Sequence, residues 1–223
     1  MMEQGLKPIM ICPSMLAADA GALAACARRA EEWGADALHI DVMDGSFVAD
    51  FGFAPREVAA IRRVVKLPLD VHLMTREPAR HIAAFADAGA SSIVFQIEAE
   101  AHVDKTLNLA KKTGVAAGVA LAPGTPLQAL QYIMAECDLI TIMAINPGMA
   151  GSSFIPYIYR KIGDLAALLE QCGAPAQICV DGGIGMEQAQ KCLQAGAVRL
   201  IAGTSIFHSP HPAAVIRQMR GRG

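Results

Sequence analysis

The sequence lacks the marks of several classes of protein. Its 19 basic residues are outnumbered by 21 acidic ones, which leaves a formal net charge of −2. Binding to a polyanion needs a basic excess or a basic stripe, so we expect no nucleic-acid partner. No uninterrupted apolar run approaches about 18 residues, and the chain does not start with a basic segment followed by an apolar core. We therefore expect a soluble, cytoplasmic protein with no membrane partner.

Closely spaced cysteine pairs are also missing. The chain has six cysteines, and no two of them show the CxxC spacing that is typical of zinc and redox sites. Several lie inside apolar runs, which predicts buried free thiols rather than disulfides or a zinc site. No linker rich in proline and serine divides the chain, so residues 1–223 are predicted to form a single domain.

Apolar residues are abundant instead, at 53% of the chain against 18% for charged residues. They form eight short runs, separated by alanine-rich stretches in which apolar positions recur every three or four residues. We predict strands at residues 9–14, 36–41, 67–73, 91–97, 115–121, 138–143, 176–181 and 198–203. We predict helices at residues 19–33, 55–64, 78–88, 103–113, 126–135, 156–172 and 186–195. A glycine follows several of these helices, as is common at a helix end; examples are Gly34, Gly89, Gly114 and Gly196.

Nearly continuous apolar strands joined by helices indicate parallel strands that are buried on both faces. Eight such units in a chain of this length predict an α/β fold of the single-domain (β/α)8 (TIM) barrel type. A doubly wound open sheet is the competing fold. No GxGxxG follows the first strand, which argues against the dinucleotide-binding form of that sheet.

Polar residues interrupt the predicted strands near their C-terminal ends, where barrel enzymes carry their chemistry. The second strand ends with His39 and Asp41, the third with His72 and the seventh with Asp181. Two imidazoles and two carboxylates suit a divalent ion of zinc, iron, manganese or cobalt better than calcium. These four residues are the predicted ligands of one metal ion.

Asp41 and Asp181 are also the candidate acid and base of a proton transfer. A metal on a substrate carbonyl stabilises the enediolate that forms when the neighbouring proton leaves. Inverting that carbon needs one group to remove the proton and another to return it on the opposite face. Three methionines lie near the same strand ends and are interpreted either as core residues or as walls that keep water from the reacting atoms; they are Met43, Met74 and Met143.

Glycines cluster at the ends of the last three strands and predict a phosphate site. Backbone N–H groups approach a phosphate closely only where side chains are absent, and the loops after strands seven and eight commonly bind phosphate in barrels. A hydroxyl or an N-terminal amide from the start of the following short helix would add to the site. The residues concerned are Gly148, Gly151, Gly182, Gly183, Gly203, Thr204 and Ser205.

Six motifs of this chain resemble the ribulose-phosphate 3-epimerase family. They follow in the family's order and cover nearly the whole chain: Pro13–Asp19, His39–Gly45, Asp70–Met74, Asn146–Gly148 with Gly151 and Phe154, Val180–Gly183, and Ala202–Phe207. The resemblance implies an isomerase of carbohydrate metabolism that interconverts ribulose 5-phosphate and xylulose 5-phosphate, as in pentose phosphate metabolism, or epimerises a related tetrulose or hexulose phosphate.

The same resemblance implies a homo-oligomeric barrel with one divalent ion on His39, Asp41, His72 and Asp181, and with the two aspartates as the acid/base pair. It also implies that Ser14 contacts the substrate and that the three methionines line the reacting face. The phosphate would lie against the three glycine loops, which include Met149 and Ala150.

Departures from the family pattern concentrate around the rim of the expected site. Ser46 and Asp50 stand where the family usually has histidine and asparagine, Gln96 stands where histidine is usual, and Met149-Ala150 alters the phosphate loop. None of these changes removes a predicted ligand or a catalytic carboxylate. The prediction therefore keeps the 3-epimerase chemistry and leaves open which ketose phosphate is the substrate.

Three other functions remain as alternatives. A phosphate-binding barrel lyase or isomerase of another type shares the glycine loops, but the decarboxylases of this kind use Asp-x-Lys-x-x-Asp, and the stretch from Asp41 to Asp44 contains no lysine. A non-catalytic sugar-phosphate-binding barrel would have no reason to keep all four ligands. A metal-free isomerase would leave His39 and His72 without a role.

Overall fold

Eight parallel strands form one sheet that curls into a nearly closed barrel. The computed structural model describes residues 8–221. Its strands are β1 (Met10–Pro13), β2 (Leu38–Met43), β3 (Leu69–Met74), β4 (Ser92–Gln96), β5 (Ala116–Leu121), β6 (Leu139–Met143), β7 (Gln177–Asp181) and β8 (Arg199–Ala202). Each predicted strand is confirmed, with its ends displaced by at most two residues. The strand order β1-β8-β7-β6-β5-β4-β3-β2 confirms the barrel over the open doubly wound sheet.

The barrel closes at the functional end. β1 pairs with β8 along its length, whereas β1 and β2 meet through a parallel bridge between Ser14 and His39. That bridge places the end of β1 beside the predicted metal ligands on β2.

Helices cover the outside of the barrel; six of them lie between successive strands and two follow β8. They are α1 (Leu23–Glu32), α2 (Pro55–Arg62), α3 (Ile82–Asp87), α4 (Val103–Lys112), α5 (Ile158–Cys172), α6 (Met186–Gln194), α7 (Thr204–Phe207) and α8 (Pro212–Met219). Six of the seven predicted helices are confirmed, two of them with a short 3-10 turn at the start. Within residues 8–221, no helix is both long and apolar enough to cross a membrane.

The predicted helix at residues 126–135 is wrong. The structure has two 3-10 turns there, Leu127–Leu130 and Met134–Glu136. Tyr132 and Ile133 lie between them, and aromatic and β-branched side chains lose rotamer freedom in a helix. In a short segment, the entropy lost by two such side chains makes one continuous helix less favourable.

Side chains alternate along each strand between the helices and the barrel interior. On β2, Leu38, Ile40 and Val42 pack into the large apolar layer beneath the helices, so His39 and Asp41 point into the barrel. A smaller apolar cluster fills the barrel interior, as expected of a packed core rather than a pore; its buried members are Cys12, Ala37, Val94, Ala120, Leu139, Met143, Cys179 and Ile201.

Candidate active site

Strand register brings the four predicted ligands together. Asp41 on β2 pairs with His72 on β3, and paired residues of parallel strands point to the same side. His39 lies one inward position lower on β2, and Asp181 ends β7 on the opposite wall. One ligand atom from each of the four residues lies within 4.8 Å of the other three, and all four residues are buried. The structure therefore brings together the four residues that the sequence singled out as candidate ligands.

The four ligand atoms face one another at metal-binding distances. His39 Nε2 lies 3.4 Å from Asp41 Oδ1 and 3.7 Å from Asp181 Oδ2. His72 Nδ1 lies 3.7 Å and 3.6 Å from the same two oxygens. Ligand atoms bound tetrahedrally about 2.1 Å from a zinc ion are about 3.4 Å apart, so the spacing suits one ion.

The histidine nitrogens of this cluster support the same interpretation. His39 Nε2 and His72 Nδ1 are buried and have no hydrogen-bond partner among the described residues, although carboxylate oxygens lie close by. Buried polar atoms normally have a partner, and a divalent cation between the four atoms would supply one. The residues present therefore fit a metal ion, and the buried cluster can hold one.

Charges inside the cluster are strongly coupled. Burial by itself lowers the pKa of His39, but the carboxylate of Asp41, aided by Asp70 and Asp181, raises this pKa well above 6.5. Burial raises the pKa of Asp41, yet the His39 and His72 imidazoles hold it below its usual value of 3.8. The cluster thus stabilises positive charge between two carboxylates, whether that charge comes from protons or from a cation.

Hydrogen bonds orient two of the ligands. The Ser14 hydroxyl donates to Asp41 Oδ2 over 2.7 Å, which leaves Asp41 Oδ1 facing the two histidines. On the other side, His39 Nδ1 lies 3.3 Å from Asp70 Oδ2. Asp70 was not among the predicted site residues, although its alternation with His72 in Asp70-Val71-His72 was a signal that it also points into the barrel.

A cavity of about 820 Å³ opens above the cluster. Asp41 and Asp181 lie in its lining, together with Ser14 and the methionines Met43, Met74 and Met143. The three methionines are buried. Their thioethers and methyl groups offer no proton to compete with the two carboxylates.

The glycine loops predicted to bind phosphate line the same cavity. Its wall includes Gly148, Met149, Ala150, Gly151, Gly182, Gly183, Gly203, Thr204 and Ser205. At Gly183 the backbone has a φ of +64°, and a Cβ there would lie 2.8 Å from the backbone nitrogen of Phe154, so this close approach requires glycine. The Ser205 hydroxyl donates its proton to the Ile184 carbonyl over 2.7 Å.

The residues that depart from the family pattern have different surroundings. Gln96 is completely buried on β4, where its amide nitrogen can donate to the Ala120 carbonyl and to Glu98. Met149, in contrast, is 55% exposed and lines the cavity. Gln188 and His208 also line it; sequence reasoning missed both because they lie on α6 and after α7, away from the strand ends.

Comparisons with known proteins identify the family of this chain. The model of the ribulose-phosphate 3 epimerase family matches residues 10–207. The chain is 41% identical over 214 residues to a ribulose-phosphate 3-epimerase of Bacillus subtilis, with 96% of this chain and 99% of that protein covered. It is 38% identical over 216 residues to a ribulose-phosphate 3-epimerase of Escherichia coli, with 96% of each chain covered.

Solved structures show a wider likeness of fold. A mutant tryptophan synthase alpha-subunit from Pyrococcus furiosus superposes with a TM-score of 0.69, covering 95% of this chain and 98% of that one, at 15% identity. At this identity the likeness concerns the barrel fold and not the reaction. The family match and the relatives near 40% identity decide the question: this chain belongs to the ribulose-phosphate 3-epimerase family.

Proposed function

We propose that this protein is an isomerase that inverts the configuration at C3 of a ketose phosphate. The observation that carries the proposal is the buried cluster of two histidines and two aspartates beneath a cavity walled by glycine loops. Membership of the family supports ribulose 5-phosphate and xylulose 5-phosphate as the substrate pair. Because the rim residue Met149 departs from the family pattern, a tetrulose or hexulose phosphate is the alternative substrate.

Asp41 and Asp181 are the proposed acid and base. They stand on β2 and β7, on different walls of the barrel, so their carboxylates can reach opposite faces of a bound sugar carbon. The low pKa of Asp41, caused by the neighbouring imidazoles, keeps this group ionised and able to accept a proton at neutral pH. In the reverse direction the two groups exchange roles.

His39, Asp41, His72 and Asp181 would hold the divalent ion, for which zinc, iron, manganese and cobalt are the candidates. When bound, the ion supplies Lewis-acid stabilisation of negative charge on the substrate oxygens next to the reacting carbon. The methionine side chains exclude water from that carbon, and the backbone N–H groups of the glycine loops bind the phosphate.

Proton exchange in D2O tests this function. A panel of four-, five- and six-carbon ketose phosphates is incubated with the protein and added divalent metal, and deuterium is followed by NMR. We expect deuterium at C3 together with the C3 epimer, and the fastest substrate identifies the chain length. Absence of exchange with every substrate, in metal-loaded protein, would point to a non-catalytic sugar-phosphate-binding barrel.

Substitution of the carboxylates tests the assignment of roles. Asp41→Asn and Asp181→Asn should each lower turnover by about 10²–10⁴-fold, the usual contribution of a general acid or base. Metal content is measured on the same samples, because both residues are also proposed ligands. The matched control is Asp87→Asn, which removes an exposed carboxylate on α3. Near-normal turnover in either test variant would remove that residue from the mechanism.

We infer further that residues 1–223 form one domain and that copies of the chain assemble into a homo-oligomer. A single sheet containing all eight described strands supports the first point. Exposed apolar side chains at the mouth of the barrel, Phe51 at 74% and Met149 at 55% exposure, are consistent with the second. The cytoplasmic location stays a prediction from the sequence.

A further inference from the structure

A chain of three side chains runs beneath the proposed metal site. His39 on β2 is in register with Asp70 on β3, and Asp70 is in register with Ser92 on β4. All three point into the barrel and are buried. The Ser92 hydroxyl donates to Asp70 Oδ1 over 2.5 Å, and Asp70 Oδ2 lies 3.3 Å from His39 Nδ1. Each carboxylate oxygen of Asp70 therefore has its own partner.

This arrangement separates the two nitrogens of His39. Nδ1 faces Asp70, whereas Nε2 faces Asp41 and Asp181 at 3.4 Å and 3.7 Å. A carboxylate accepts hydrogen bonds and does not donate them when ionised. Because Asp70 Oδ2 is an acceptor 3.3 Å from His39 Nδ1, this contact favours the imidazole form with a proton on Nδ1 and a free lone pair on Nε2, which is the form that binds a metal through Nε2.

A buried cation elsewhere in the barrel interior also acts on Asp70. Burial raises the pKa of Asp70, but the Arg199 guanidinium on β8, the His39 imidazole and the Ser92 hydroxyl together outweigh burial and hold this pKa below its usual value of 3.8. Arg199 is itself buried in the barrel. Positive charge from Arg199 as well as from His39 thus offsets the negative charge of Asp70.

We propose that Asp70 is a positioning residue for the metal site, which orients His39 and fixes its tautomer so that Nε2 points at the cation. Ser92 supports Asp70 in turn. His72 differs from His39 in this respect, because its Nε2 has no hydrogen-bond partner among the described residues. The inference rests on the metal site of the proposed function and adds a residue that does not touch the ion or the substrate.

Metal binding to the apo protein tests the proposal without any substrate. Chelator-treated wild type and variants are titrated with Co2+, followed by visible absorption, and with Zn2+ in competition with a chromophoric chelator. Loss of an orienting partner of a histidine ligand typically costs 10–100-fold in metal affinity. We expect about tenfold for Asp70→Asn, which keeps an acceptor oxygen, and up to about 100-fold for Asp70→Ala, with shifted Co2+ bands in both. Asp87→Asn should bind like the wild type.

Double variants separate positioning from a purely structural role. If Asp70 acts through His39, Asp70→Ala should cost no further affinity in a His39→Asn background and should keep its full effect in a His72→Asn background. Equal losses in both backgrounds would mean that Asp70 supports the barrel in general, and the proposal would be wrong. Circular dichroism of each apo variant reports folding, and Ser92→Ala supplies a milder change should Asp70→Ala fail to fold.

The outcomes also distinguish this proposal from the proposed function. Wild-type protein that binds neither Co2+ nor Zn2+ would overturn both. If the wild type binds the metal and both Asp70→Asn and Asp70→Ala bind it as tightly as the wild type does, only the positioning role is overturned. Long-range 1H–15N NMR of the histidine rings in the zinc-loaded protein reports the tautomer of His39 independently. We expect its ring to carry the proton on Nδ1.

Discussion

At the scale of single residues, hydrogen bonds decide which atoms of the carboxylates are free to act. Ser14 donates to Asp41 Oδ2 over 2.7 Å, and its hydroxyl oxygen also lies 3.3 Å from the backbone nitrogen of Leu16, from which it accepts. Because the Ser14 hydroxyl donates its only proton to the Asp41 carboxylate, Ser14 orients a proposed acid/base group. This role is separate from any contact that Ser14 makes with substrate.

Replacing Ser14 with alanine should lower turnover more than it lowers metal content. Hydrogen bonds to charged groups contribute about 1.5–3 kcal/mol, so a loss of roughly 10–100-fold in kcat is expected if the bond counts fully in the transition state. Steady-state kinetics and metal analysis of the same samples test this. Ser14→Thr keeps the hydroxyl and should stay closer to wild type; equal activity of Ser14→Ala and wild type would contradict the role.

At the scale of elements, loops tie the helices to the strand ends. The loop after β5 is anchored from two sides. Glu98 accepts hydrogen bonds from the Ala122 backbone and the Thr125 hydroxyl, while the Lys161 ammonium on α5 donates to the carbonyls of Ala122 and Pro123 over 2.8 Å and 3.1 Å. Lys161 is half-buried, and this burial lowers its pKa from 10.5 to about 8, with Glu98 opposing the shift.

The stabilising effect of Lys161 should depend on pH. Between about pH 8 and pH 10.5 the unfolded chain binds more protons at this lysine than the folded protein does, so folding becomes more favourable as pH rises. Below about pH 8 this gain in stability is lost, because the lysine is then protonated in both the folded and the unfolded state. Urea unfolding of wild type and Lys161→Met is measured between about pH 7 and about pH 10. The free energy of unfolding of the wild type should rise with pH relative to that of the variant. The exposed Lys112→Met variant is the control, and a pH-independent difference for Lys161→Met would contradict the prediction.

At the scale of the whole molecule, closure of the barrel buries most of the thiols. Five of the six cysteines are buried free thiols, and Cys172 at the end of α5 is exposed. Burial raises the pKa of Cys12 to about 11 and that of Cys137 and Cys192 to about 12. Thiolate is the reactive form, so these groups are unreactive in the folded barrel.

Thiol titration should accordingly report barrel integrity. A water-soluble disulfide reagent at about pH 8 should modify one thiol rapidly in the native protein and all six after denaturation. Cys172→Ser should abolish the rapid modification and leave the slow modification of the five buried thiols unchanged. Rapid modification of several thiols in native wild-type protein would indicate that the barrel opens more readily than its packing implies.

The sequence by itself determined the fold and the identity of the candidate ligands. Apolar runs separated by amphipathic stretches predicted all eight strands, because strand burial on both faces requires such runs. The rule that barrel chemistry lies at strand ends then selected His39, Asp41, His72 and Asp181. Local patterns carry this information because side-chain direction follows directly from the pleat of a strand.

Only the tertiary structure decided which of these groups touch and what lies beneath them. Strand register, which no local pattern encodes, aligned His39 with Asp70 and Ser92 and brought Asp181 across the barrel to the histidines. The tertiary structure also placed Gln188 of α6 and His208, which follows α7, in the cavity wall. Contacts between distant strands and helices depend on how the sheet curls and closes, and that geometry arises from the packing of the whole chain.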